Sequence, residues 1–119
     1  MLNHKALKNI DANLSRDLDA VRAVIEADPF AANVGGLAHF YSRVVIIHHA
    51  IANGRCAYAH ATWFDEDQNG VSARDYAAKA IDCTGILYRI RGAVTALLLA
   101  NYTPEVEAAH FAALDALAQ

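Results

Sequence analysis

Three residues that can bind a metal ion share one side of the second predicted helix: His49, Cys56 and His60. At about 100° per residue, Cys56 and His60 each lie within roughly 20° of His49 around the helix axis. Cys56 and His60 are four residues apart and are spaced to chelate zinc. A third ligand would have to come from another helix, where the candidates are Cys83, Asp82 and His110. Structural zinc sites usually contain two close ligand pairs, so we expect an interface of histidine rings and no zinc.

The most polar stretch of the chain resembles the first half of an EF-hand calcium loop. Asp65, Asp67 and Asn69 occupy positions 1, 3 and 5, and Gly70 occupies position 6, where such a loop turns sharply. The second half departs from the pattern, because position 12 is Tyr76 instead of the glutamate that binds calcium through both oxygens. We therefore expect an acidic turn, in which Asn69 and Gly70 supply positive φ angles, and no functional calcium site.

An arginine is followed by a histidine five residues later at two places, Arg43 with His48 and Arg55 with His60. This spacing is similar to the Arg-x4–6-His motif of the HEPN group of small helical ribonucleases. The resemblance implies that the arginine stabilises phosphate charge and that the histidine performs acid–base chemistry at a dimer interface. About one such match is expected by chance in a chain with this many arginines and histidines. A ribonuclease is the alternative function, and a weak metal-binding helical protein is a further alternative.

Two arginines lie close to apolar faces of predicted helices, Arg55 in the second and Arg91 in the third. A guanidinium group near a core needs a carboxylate or a bound anion, because a buried unpaired charge is very costly. His48 lies at the margin of the same face as Arg55, and Tyr58 and Tyr41 offer amphipathic walls. We expect these five residues to form a pocket for a small anionic molecule between helices. Alternatively, Arg55 reaches water and lays its stem over apolar surface.

Composition narrows the class of protein. The chain of 119 residues has 55% hydrophobic side chains and a net charge of −3, which suits one helical domain over 1–119 and excludes intrinsic disorder. Its basic residues are scattered, which argues against a nucleic-acid partner. The sequence contains no nucleophile-elbow, zinc-protease, dinucleotide-binding or phosphate-loop motif. We expect a binding or structural role more than catalysis, and no cofactor.

The sequence also predicts the compartment. The first nine residues have no apolar core, which predicts no signal peptide. The longest apolar stretch, 92–100, is far shorter than the roughly 20 residues of a membrane-spanning helix. We therefore expect a cytoplasmic protein in which Cys56 and Cys83 stay reduced.

The spacing of apolar residues predicts four helices, over about 3–27, 36–64, 72–100 and 104–118. Gly54 predicts that the second helix bends or breaks. The first helix carries one apolar stripe, formed by Leu7, Ile10, Leu14, Leu18, Val21 and Ile25. The predicted fold is an all-α antiparallel bundle, which the short last helix leaves incomplete.

Residues that commonly begin or end helices mark the boundaries. A loop containing one proline and two glycines is expected over 29–36. Ser72 and Asp75 resemble a capping box at the start of the third helix. Thr103 and Pro104 are typical of an N-cap and a first helical position.

The second and third predicted helices are apolar on two sides. In the second helix one stripe consists of Leu37, Phe40, Val44, Ile47, Ile51 and Tyr58, and the other of Val45, His49, Ala52, Cys56, His60 and Trp63. In the third helix, Gly85 and Gly92 make one side smooth enough for another backbone to approach closely. One short domain cannot cover two such helices on both sides, so we expect a homodimer or higher oligomer.

Overall fold

The computed structural model describes residues 4–34, 36–66, 70–75, 84–101 and 103–105, together with Ala108, Ala112, Asp115 and Ala116. These residues include five helices: α1 (His4–Ala27), α2 (Pro29–Val34), α3 (Leu37–Ala52), α4 (Cys56–Phe64) and α5 (Thr84–Ala100). The fold is all-α, as the sequence predicts. None of these helices is both long and apolar enough to cross a bilayer.

The first helix confirms the periodicity of its sequence. Its observed bounds, His4–Ala27, match the predicted 3–27. The buried residues Leu14, Leu18 and Val21 all belong to the predicted apolar stripe. Through this stripe α1 packs mainly against α5 and also contacts α3.

The short helix α2 occupies most of the segment that the sequence predicts to be a loop. The carboxylate of Asp28 accepts a hydrogen bond of 3.1 Å from the backbone N–H of Ala31, so Asp28 is the N-cap. Pro29 takes the first helical position, where its missing N–H costs nothing. Ala32 is the buried residue of this helix.

The second predicted helix breaks completely at Gly54, which confirms the prediction made at that residue. Gly54 has a φ angle of 76°, in the left-handed region that favours glycine. Its N–H donates to the carbonyl of Ile51 at 3.1 Å, and the N–H of Arg55 donates to the carbonyl of Ala50 at 2.8 Å. These two bonds form a Schellman motif, which satisfies the last carbonyls of α3.

The break reverses the direction of the chain. Phe40, near the start of α3, and Trp63, near the end of α4, have ring centroids 6.2 Å apart. In one continuous helix these positions would be about 35 Å apart, so α3 and α4 form a helical hairpin. Trp63 is fully buried, and its indole N–H donates to the hydroxyl of Thr95 at 3.1 Å.

The reversal also changes which residues of α4 face the core. The sequence places Tyr58 on the main apolar stripe and Trp63 on the second one. In the structure Tyr58 is 43% exposed, whereas Ala59 and Trp63 are buried. Neither predicted stripe continues through Gly54, because the stripes assume a constant angle per residue and the Schellman turn interrupts it.

The structure describes the third predicted helix, 72–100, only over 72–75 and 84–100. Residues 73–75 form a 3-10 turn, and α5 begins at Thr84; the residues over 76–83 are outside the described part. The hydroxyl of Ser72 donates to the carboxylate of Asp75 at 2.9 Å, so the predicted capping pair is in contact. Most of the predicted fourth helix, 104–118, also lies outside the described residues.

The molecule is a thin slab. Its principal extents are 41, 39 and 20 Å, and the shortest equals about two helix diameters. A monomer of 12.8 kDa typically exposes about 6,300 Å², whereas this chain exposes 7298 Å². The slab therefore leaves roughly 1,000 Å² more surface in contact with solvent than a typical monomer of its mass.

Candidate functional site

The structure brings two of the five predicted anion-binding residues together. The guanidinium carbon of Arg55 lies 4.5 Å from the ring centroid of Tyr58, in a cation–π contact. Both side chains line a cavity of about 340 Å³ beside the break between α3 and α4. We call this cavity the bend pocket; it is lined mainly by Val45, Ile46, His49, Asn53, Arg55 and Tyr58.

The other three predicted residues lie elsewhere. Arg91 on α5 is 3.4 Å from the carboxylate of Asp75. Nε2 of His48 on α3 is 2.6 Å from the carboxylate of Asp11 on α1. Tyr41 is half-buried against the core. The predicted pocket thus divides into separate local contacts, and Arg91 and His48 each have a carboxylate partner.

A second candidate surface follows the solvent side of α5. We call it the α5 face; it consists of Gly85, Tyr88, Gly92, Ala96 and Leu99. Tyr88 is 58% exposed and Leu99 is 61% exposed, although Leu99 is apolar and Tyr88 is a large amphipathic side chain. Gly85 and Gly92 mark the side of this helix that the sequence predicts to be smooth. Within the described chain, four of the five residues are exposed and Ala96 is half-buried.

The described part of one chain gives no structural reason for the two glycines of the α5 face. Neither Gly85 nor Gly92 has a positive φ angle. A Cβ atom built at either position meets no described atom within 4 Å. Each glycine lowers helix stability by about 1 kcal/mol relative to alanine. No contact among the described residues offsets this cost at either glycine.

Depressions lie on both sides of the α5 face. The larger, the α1–α5 groove, has a volume of about 700 Å³ and is lined mainly by Ile10, Asn13, Asp17, Tyr88, Gly92 and Ala96. The second groove has a volume of about 490 Å³ and is lined mainly by Arg74, Tyr88, Arg91, Thr95, Ala96 and Leu99. Because both grooves share Gly92 and Ala96, the missing side chain at position 92 keeps the surface between them low.

An ion pair ties α1 to α5 at the rim of the α1–α5 groove. Two nitrogens of Arg89 each lie 3.1 Å from a different carboxylate oxygen of Asp17. This carboxylate raises the pKa of the Arg89 guanidinium, through the hydrogen bonds first and its negative charge second. A raised pKa means that any contribution of the Arg89 charge is complete at neutral pH and is lost only in strongly alkaline solution.

The two Arg–His pairs of the ribonuclease alternative point in different directions within one chain. Five residues turn an α-helix by about 140° beyond a full turn, which separates Arg43 from His48 on α3. In the second pair, Arg55 lies over Tyr58, and the ring of His60 lies 4.5 Å from that of Phe64. Neither pair forms a common site inside the described chain.

The possible metal ligands do not form a cluster in the described part of the chain. No group of three His, Cys, Asp or Glu side chains converges there. Cys56 and His60 lie together on α4, but the candidate third ligands, Cys83, Asp82 and His110, are outside the described residues. The absence of zinc therefore stays a prediction.

The acidic turn is described only at its two ends. Glu66 and Ser72 form an isolated antiparallel bridge across it, and Gly70 has the expected positive φ, 74°. Asp67, Asn69 and Tyr76 lie outside the described residues. The absence of a functional calcium site also stays a prediction.

The α1 side of the large groove was not predicted from the sequence. Its polar residues include Asn13 and Asp17, which are four positions apart and therefore neighbours on α1. That spacing was the available signal, but nothing in the sequence indicates that Asp17 pairs with Arg89.

Comparison with known proteins gives no further guide: no family model, curated protein or solved structure matches this chain. The functional interpretation therefore rests on two surfaces of the structure: the α5 face with its grooves, and the bend pocket. Both surfaces consist of described residues.

Proposed function

We propose that this protein has a structural or binding role as a homodimer, assembled through the α5 face and the α1–α5 groove. The observation that carries the proposal is Gly92. It lies in the middle of a helix, has an ordinary helical backbone and has open space where a side chain would be. A close-packed second backbone would give the glycine a purpose that one chain does not supply.

The shape of this surface favours a second copy of the same chain as the partner. A two-fold interface is self-complementary, so one patch must carry both protrusions and depressions. Tyr88 and Leu99 protrude from the α5 face, and the grooves lie beside them. The roughly 1,000 Å² of excess surface is also sufficient for a standard interface, which buries about 800 Å² per partner.

The charges at the groove are compatible with self-association. Arg16 and Arg89 lie on the same rim as Asp17. A two-fold axis brings like patches together, so a rim of one sign would repel its copy, whereas this rim carries both signs. An apolar centre with a polar rim is the usual arrangement of protein interfaces.

The proposed function also includes a cellular compartment, and it leaves out catalysis. We propose the cytoplasm as its compartment, where the thiol of Cys56 stays reduced. Catalysis is not part of the proposed function, because the residues of the two Arg–His pairs line neither groove of the α5 face.

Light scattering on a size-exclusion column tests the proposal. We expect the wild-type chain at micromolar concentration to have twice the 12.8 kDa mass of one chain. Gly92→Leu should yield the single-chain mass while remaining helical, because a Cβ atom at position 92 meets no atom within 4 Å in one chain, whereas a leucine side chain there would hold two backbones apart.

Lys8→Leu is the matched control, since Lys8 is an exposed position of α1 that does not line either groove. It adds the same apolar side chain and should leave the dimer intact. A wild-type chain that is a well-folded monomer at this concentration would overturn the proposal.

A further inference from the structure

We propose that the bend pocket binds a small organic anion, with the anionic group on Arg55 and an apolar body against Val45 and Ile46. The residues concerned lie on α3, on α4 and in the turn between them, apart from the α5 face. The site is therefore independent of the proposed dimer.

Arg55 is an available cation in a fixed orientation. No carboxylate of the described residues lies within 4.0 Å of its guanidinium nitrogens, whereas Arg22, Arg74, Arg89 and Arg91 each have one. Its planar group lies over the Tyr58 ring at 4.5 Å. A stacked guanidinium keeps the N–H groups at its edge free, and these match a carboxylate or a phosphate with two hydrogen bonds.

The apolar wall of the pocket needs a cover that the described chain does not supply. Val45 is 39% exposed and Ile46 is 42% exposed, next to Val44 and Ile47, which are fully buried. Branched side chains at solvent-facing helix positions lose rotamer freedom and lower helix propensity. A ligand with an apolar body would remove this surface from water while its charge remained on Arg55.

The backbone that carries these groups is held in place before any ligand binds. The Schellman bonds fix the turn that leads into Arg55. The side-chain amide of Asn53 donates to the carbonyl of His49 at 2.9 Å, which fixes the last turn of α3. A site that is already ordered loses little entropy on binding, so a small ligand can bind there measurably.

The volume of the pocket limits the size of the ligand. At about 340 Å³ it is at the small end of the range of ligand pockets, which is about 300–1,000 Å³. This volume suits a single ring or short branched chain that bears one carboxylate or phosphate. It is too small for a dinucleotide.

Isothermal titration calorimetry on the full chain tests the inference with four probes. Benzoate and phenyl phosphate each join an anion to an apolar ring; benzyl alcohol has the ring without the charge, and inorganic phosphate the charge without the ring. We expect at least one aromatic anion to bind, and to bind about tenfold or more tightly than benzyl alcohol and inorganic phosphate. The better anion identifies the ligand as a carboxylate or a phosphate.

Variants assign the binding to the pocket. Arg55→Gln should weaken binding of the aromatic anion about tenfold or more, because the substitution removes the charge from an exposed side chain without disturbing packing. Arg43→Gln, which removes a cation from α3 outside the pocket, should leave binding unchanged. Binding by neither aromatic anion, equal binding of benzyl alcohol, or undiminished binding by Arg55→Gln would overturn the inference. Repeating the titration with Gly92→Leu separates this result from the dimer, since the anion should bind equally well.

Discussion

The turn between α3 and α4 and the exposed side of α5 both depend on glycine, for opposite reasons. Gly54 has a positive φ angle, and backbone hydrogen bonds within the chain require that conformation. Gly92 has an ordinary helical backbone and open space around it. The first glycine is explained by the fold of one chain. Nothing among the described residues explains the second, which is why we infer an interface there.

The largest expected effect tests the reversal that Gly54 makes possible. Trp63→Ala should lower the free energy of unfolding by about 3–5 kcal/mol, because it empties a fully buried position next to Phe40. Tyr58→Ala should cost less than about 1 kcal/mol, because Tyr58 lies at the surface. Urea denaturation of both variants provides the comparison. A greater loss for Tyr58→Ala would mean that α4 presents its other side to the core.

A smaller loss of stability is expected when the glycine of the left-handed turn itself is replaced. Gly54→Ala should destabilise the fold by about 1–2 kcal/mol, because a Cβ atom is unfavourable at positive φ. No described atom lies within 4 Å of that Cβ, so the effect isolates backbone strain from steric overlap. The measurement is again urea denaturation. Unchanged stability would show that this turn adopts another conformation in solution.

Replacing glycine by alanine on α5 should change the stability of the folded chain in the opposite direction. Gly92→Ala should stabilise the folded monomer by about 1 kcal/mol, because alanine is the better helix former and no atom crowds it. It should also weaken the dimer, so the melting temperature should depend less on protein concentration. Unfolding at concentrations below dimer dissociation, followed by the fluorescence of Trp63, measures the monomer alone. A destabilised monomer would contradict the view that one chain has no use for this glycine.

The sequence predicted the parts of the fold that are determined by residues close together in the chain. The spacing of Leu14, Leu18 and Val21 located α1 and its buried side, because a regular helix repeats every 3.6 residues. The break at Gly54 was also predictable, since glycine interrupts a helix. The start signal at Asp28 and Pro29 was present but was interpreted as a stop, and so α2 was missed.

The arrangement of the candidate sites depends on information that is not local. A helical period defines which residues share a side, but it does not define the direction in which the chain continues after a break. The expected pocket assumed a helix that continues through Gly54, and the reversal instead left Arg55 and Tyr58 together and His48 beside Asp11. Tertiary packing decides such pairings, and the partner of Arg91 was unpredictable for the same reason.

The smallest expected effect concerns the acidic turn, where we expect calcium to leave the stability of the fold unchanged. An EF-hand loop needs a carboxylate at position 12, and the chain has Tyr76 there. The nearest substitute, Asp75, already accepts a hydrogen bond from Ser72 at 2.9 Å and lies 3.4 Å from Arg91. Arg74 also lies 3.7 Å from this carboxylate. Engaged by a hydroxyl and two guanidinium groups, it would have to give up these partners to bind a cation.

A thermal melt with and without calcium measures this directly. A site with a dissociation constant near 10 µM would stabilise the fold by about 2.7 kcal/mol at about 1 mM calcium. We expect instead a change in melting temperature of less than about 1 °C, equal in calcium and in magnesium. A rise of several degrees in calcium alone would show that Asp75 or another carboxylate completes the site. Asp65→Asn should then abolish that rise, because it removes the charge at position 1 of the loop.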